Sequence, residues 1–154
     1  MTAVEWNDLL ADQLKDHWHH QLRPRLEGLT DEEYLWEPVP GAWSIRPRGT
    51  GASPAPIGRG DFRRDDAPDD PDPAPVTTIA WRLAQLAVDG LARRNASHFG
   101  GAPAGSDTWT YAGSAEEAVA QLDRQYDVWT AGVAGLGEDG LASPCGAAEG
   151  PYQD

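Results

Sequence analysis

The chain has 154 residues and a formal net charge of −13, with hydrophobic residues at 40%, and a chain of this length buries roughly 68–70% of the surface its unfolded form exposes, enough for one ordinary domain. Twenty-five acidic side chains against twelve basic ones exclude nucleic acid as the default partner, because that affinity rests on clustered Lys and Arg. No run approaches the ~18 apolar residues of a membrane span, and Glu5 and Asp8 stand where a signal peptide would be basic and then apolar, so the expected location is the cytoplasm.

From Val4 to about Leu29, apolar residues recur at Trp6, Leu10, Leu14, Trp18, Leu22, Leu26 and Leu29, a helical spacing. Pro24 lacks an N–H and crowds the carbonyl of His20, so this helix is expected to kink near Leu22. Thr30 to Glu33 has the spacing of a capping box and starts a short helix through Trp36. Pro38, Pro40 and Gly41 break it, and Ala42 to Pro47 reads as an extended connector. Residues 49–76 hold six aspartates and much Gly and Pro, with Ile57 and Phe62 as the large apolar groups. They are expected to form a flexible acidic loop, either a solvated insertion or a lid, because such a segment buries too little to offset its ordering entropy.

Helix resumes at Thr77 or Thr78 and runs to about Phe99, where Gly100 and Gly101 end it. Ile79, Leu83, Leu86, Gly90 and Leu91 form one stripe and Trp81, Gln85, Val88 and Ala92 another. Gly90 costs roughly 1 kcal/mol against Ala in a helix, and close approach of a neighbouring helix is the expected reason for it. The last long helix, 114–136, opens on a second capping-box spacing, Ser114 to Glu117. Its seam is Val119, Leu122, Tyr126, Trp129, Val133 and Leu136. Leu83, Leu122, Tyr126 and Trp129 are the expected core. The rest, to Asp154, reads as Gly-, Ala- and Glu-rich coil.

Three long amphipathic helices imply an antiparallel bundle, and the wording of the sequence adds a family. Residues 16–47, DHWHHQLRPRLEGLTDEEYLWEPVPGAWSIRP, resemble the opening of actinobacterial DinB-like proteins, as do TTIAWRLAQL at 77–86, RNASHFG at 94–100 and CGAAEGPY at 145–152. The 11 Arg against one Lys fit the high-GC genome such a source would have. The resemblance implies an all-α, antiparallel four-helix bundle in one domain, 1–154. It also implies a core divalent metal such as zinc or nickel, held by one histidine of the second long helix and a His-x-x-x-His pair of the fourth. Relatives of this kind transfer, isomerise or hydrolyse substrates with a small thiol such as mycothiol. Here Gln85 stands at the position of the family histidine, and the chain stops near the point where the fourth helix would begin. The resemblance therefore implies three long helices of an expected four, an incomplete ligand set, metal affinity on the order of micromolar at best, and no catalysis by this chain. The alternative is a non-catalytic bundle that binds a small molecule or a partner protein.

The remaining candidates read more plainly. Asp16, His17 and His20 share one helix face and can touch a metal, though a polar surface face explains them as well. His98 reads as a partner of the helix C-terminus. Cys145 has no Cys to pair with in this chain and reads as an ordinary loop thiol. Trp43, Trp81 and Trp129 read as core rather than pocket lining. Gly49 to Gly60 lacks the lysine of a phosphate loop. A bundle short of one helix leaves an apolar groove, so a second copy of the chain or a helix-donating partner is expected to cover it; otherwise the monomer packs loosely and binds a hydrophobic dye.

Overall fold

A computed structural model describes residues 5–51 and 53–152. Val4, the expected start of the first helix, lies outside the described residues. The fold is mostly helical with one small sheet, and its three long helical runs fall where the apolar periodicity puts them.

The first run is α1, Trp6–His17, continued by a π turn at Trp18–Leu22 and a 3-10 turn at Arg23–Leu26. The irregularity sits at the expected kink, because Pro24 cannot donate and the chain widens before it: the Arg23 N–H reaches back five residues to Trp18 O. The short α2, Asp31–Tyr34, carries the full Thr30–Glu33 capping box. The second run is α3, Ile79–Gln85, a π segment at Leu86–Ala92, and α4, Arg93–His98. Thr78 caps it, its hydroxyl oxygen accepting from the Trp81 N–H at 3.2 Å. The third run is α5, Ala115–Ala134. Ser114 supplies the hydroxyl half of the expected box, accepting from the Glu117 N–H. Asp31 of α2 accepts from the Ala115 N–H at 2.8 Å, so a tertiary contact caps the same helix.

α5 is the element on which α1, α2, α3 and α4 pack. Leu83, Leu122 and Tyr126 are buried as expected, and Trp18 stacks on Tyr126 with ring centroids 3.8 Å apart. Three expectations about the core are corrected. The contact face of the second run is Ala80, Leu83, Ala87 and Val88, while Ile79 and Leu86 stand 40% and 43% exposed; small side chains let the helices close, and a reading keyed to large residues misses them. Trp129 is only half-buried. A Cβ on Gly90 would meet nothing nearer than Gln85 O at 3.8 Å, so no neighbouring helix requires that glycine. The close approach is at Gly132, where a Cβ would lie 2.4 Å from the Phe99 ring.

The all-α expectation is corrected at one end. β1, Ile45–Pro47, pairs antiparallel with β2, Phe62–Arg64, with Ile45 opposite Arg64. β2 lies inside the stretch expected to be a structureless loop, and residues 53–66 fold against the helices. Phe62 packs against the apolar core, and the rest of their hold is largely ionic. Asp65 accepts from the Ser44 N–H and from Arg46 Nε, and its own carbonyl accepts from Trp81 Nε1. Arg64 donates to Asp89 at 2.7 Å with its guanidinium 5.3 Å from the Trp81 ring centroid.

Among the described residues, no helix is long and apolar enough to cross a membrane.

Candidate functional site: an apolar cleft walled by the tail

The chain after α5 is not plain coil. Gly135 ends α5, α6 follows at Gly137–Leu141, and 3-10 turns at Ala147–Tyr152 close the described chain. The tail turns back along α1 and α5: Asn7 of α1 donates from its backbone N–H to Glu138 and from its side chain to Ala134 O, both at 3.4 Å. Part of the groove expected to need an outside partner is thus walled by the chain's own last residues.

What is left between α1, α4, α5 and the tail is an open cleft of about 820 Å³. Leu10, Leu14, Phe99, Trp129, Val133 and Leu141 are the large apolar groups along much of its wall. Phe99 meets Trp129 edge to face, with centroids 5.4 Å apart, and lies flat on Gly132. Trp129 therefore lines a cleft, where the sequence reading placed it in the core. Trp43 and Trp81 belong elsewhere, half-buried and 6.1 Å apart over the ionic network of the sheet end.

The polar groups of the cleft converge on one carboxylate. Glu149 of the tail accepts from Arg94 Nε at 3.1 Å to each oxygen, with Arg94 Nη2 at 3.0 Å. His98 Nε2 lies 2.8 Å from the same group. The His98 hydrogen bond, and then Arg94, hold the Glu149 carboxyl below the usual carboxylate range. Arg94 is fixed from behind as well. The π register sends the Arg93 N–H to Val88 O rather than to Asp89 O, and Arg94 Nη1 donates to the Asp89 and Gly90 carbonyls at 3.3 and 3.1 Å.

His98 does end its helix, as expected of a residue read against the helix terminus, but its ring is engaged by Glu149. Cys145 is exposed on the cleft rim. His17 is exposed, and His20 Nδ1 lies 3.0 Å from the Asp16 carboxylate on the surface of the first run, away from the cleft. Gln85 accepts from Arg82 Nη1 at 3.2 Å. Among the described residues, no group of three His, Cys, Asp or Glu side chains is placed to hold a metal ion. The donor set therefore does not fit the three-ligand metal of the resemblance.

Sequence reasoning gave no role to Arg94, Glu149 or Gly132. A signal for the first two was present: Arg94 and His98 lie in the string 94–100 and Glu149 in the string 145–152, and the fold brings these two strings into contact.

Residues 61–154 match the sequence model of the DinB superfamily. The match takes in β2, α3 to α6, the cleft's polar cluster and the whole described tail, and leaves 16–47 outside. No curated protein and no solved structure gives a match.

Proposed function

The chain belongs to the DinB superfamily, and from that premise we propose that it acts as a non-catalytic member that binds a small apolar molecule in the cleft between α1, α4, α5 and the tail. The observation that carries this is the cleft itself. Its volume of about 820 Å³ falls in the range of roughly 300–1,000 Å³ typical of small-molecule sites, and its wall of Leu, Phe, Trp and Val side chains faces solvent instead of closing on itself.

Metal-dependent transfer or hydrolysis with a thiol is the activity the resemblance implies. It would require a ligand at the position where this chain has Gln85 and a group of three His, Cys, Asp or Glu side chains placed to hold a metal, of which there is none among the described residues, and we derive no step through a metal. Metal assay of the purified protein separates the readings: one zinc or nickel per chain would favour the enzyme.

A second reading is self-association, with an incomplete four-helix bundle completed by another copy. Leu10 and Leu136, 48% and 39% exposed, both line the cleft and favour it. Light scattering over a range of concentrations tests that reading, and a concentration-dependent dimer that excludes a hydrophobic dye would support it over ligand binding.

The test of the main reading is calorimetric titration with decanol. Saturable binding at one site is expected, abolished by Leu10→Trp, which places an indole across the rim from an exposed position. Absence of saturable binding would overturn it.

A further inference from the structure

Resting on the small-molecule reading, we propose that the ligand is an amphipathic monocarboxylate, and that Glu149 is the chain's own occupant of the place its headgroup would take. The polar part of the cleft is built to receive a carboxylate. Arg94 presents Nε and Nη2 side by side to both oxygens, and His98 adds a third contact at 2.8 Å. A planar guanidinium fork matches a carboxylate in this way and a single point charge does not.

The fork does not depend on Glu149 for its position. Arg94 Nη1 is tied to the Asp89 and Gly90 carbonyls inside its own helical run, so the guanidinium stays aimed into the cleft whether or not the tail is there. The occupant, by contrast, is attached through a weak segment. Gly146 and Gly150 flank Glu149 with φ of +81° and +59°, and a Cβ at either would meet nothing within 4 Å. No close packing holds the turn at those two points. One wall group of the same cleft is Trp129 and another is Phe99, so a ligand that takes the place of the Glu149 carboxylate has apolar surface beside it for a hydrocarbon chain. The headgroup and the chain of an amphipathic acid are thus both provided for, and an alcohol of equal length satisfies only the second.

The experiment titrates decanoate and decanol into the full chain by calorimetry, in the wild type and in Glu149→Gln, Arg94→Gln and His98→Gln. With the internal carboxylate neutralised, E149Q is expected to bind decanoate about tenfold more tightly, the size of effect a charge-assisted pair supports. Its affinity for decanol should change by a much smaller factor. R94Q and H98Q are each expected to lower the affinity for decanoate by a larger factor than the affinity for decanol; two separate variants are used so that misfolding of one does not decide the matter. Equal strengthening of both ligands in E149Q would mean that Glu149 only holds the tail in place, and would overturn the proposal. So would equal affinity for the two ligands in every variant. If decanol also fails to bind the wild type, the small-molecule reading falls, and this inference with it.

Discussion

Two segments of this chain have similar composition and opposite physical fates. Residues 42–66 and 137–152 are both rich in Gly and Pro and both look poor in core-forming groups. The first is clamped: Arg64 and Asp65 are 5% and 3% exposed, and strand pairing, Ser44, Arg46, Trp81 and Asp89 answer most of their polar atoms, while the buried Arg64 Nε has no hydrogen-bond partner among the described residues. The second is held at its far end by Glu149 on Arg94 and His98, and it leaves an apolar cleft open. Composition measures how much a segment can bury by the hydrophobic effect. It does not measure how many charges will be paired and fixed against backbone groups, and the two segments differ in the number of such ties. The clamped one is scaffold, and the other borders the cleft proposed above as a ligand site.

The sharpest way to break this contrast is at the sheet end. Arg64→Ala leaves Asp89 and Asp66, 27% and 30% exposed, facing a vacated guanidinium site, and losing the buried partner of such a pair costs up to about 3–5 kcal/mol. Urea denaturation should show a loss of that order; a loss under about 1 kcal/mol would mean that the ionic clamp does not hold this end. Next in size is Gly132→Ala, where the new methyl lies 2.4 Å from the Phe99 ring. Overpacking of this kind costs about 1–3 kcal/mol, and here it should also shift the near-ultraviolet dichroism of the Phe99–Trp129 pair. Thr78→Ala removes the cap of α3 together with the hydrogen bond to Ser44, for about 1 kcal/mol in the same assay.

The smallest global effect belongs to the tail. Glu149→Gln should cost under about 1 kcal/mol overall, as partly exposed ion pairs do, yet raise amide exchange selectively over 146–152. Acid should act in the same direction. Because the Glu149 carboxyl is held below the usual carboxylate range, its contribution is fully present above that range and is lost as pH falls through the lowered value. Amide protection over 146–152, referred to the intrinsic exchange rate at each pH, should therefore fall in the wild type as pH drops below the usual carboxylate range. In E149Q that pH dependence should flatten, and an identical profile in both proteins would show that other groups release the tail.

Much of the helical framework was legible in the sequence, because helical period, caps and breakers act over a few residues: Thr30, Thr78 and Ser114 begin helices, and Pro24 disturbs one. The small sheet was hidden because its strands are three residues long and its stability comes from Arg64 and Asp65 meeting partners far along the chain. The contact face of the second run was hidden by its alanines. The cleft could not be read locally at all, since Arg94 and Glu149 are 55 residues apart and neither belongs to an apolar period. The metal implied by resemblance points to Gln85, whose side chain is bonded to Arg82 at a distance from this cleft.

Whether the cleft is a ligand site is tested most directly by the indole N–H resonances. Seven tryptophans give seven probes, of which Trp129 lines the cleft and Trp109 donates to Gln121 elsewhere. Titration with decanol should move the Trp129 resonance saturably and leave that of Trp109 in place. A stationary Trp129, or an equal drift of all seven without saturation, would contradict the account.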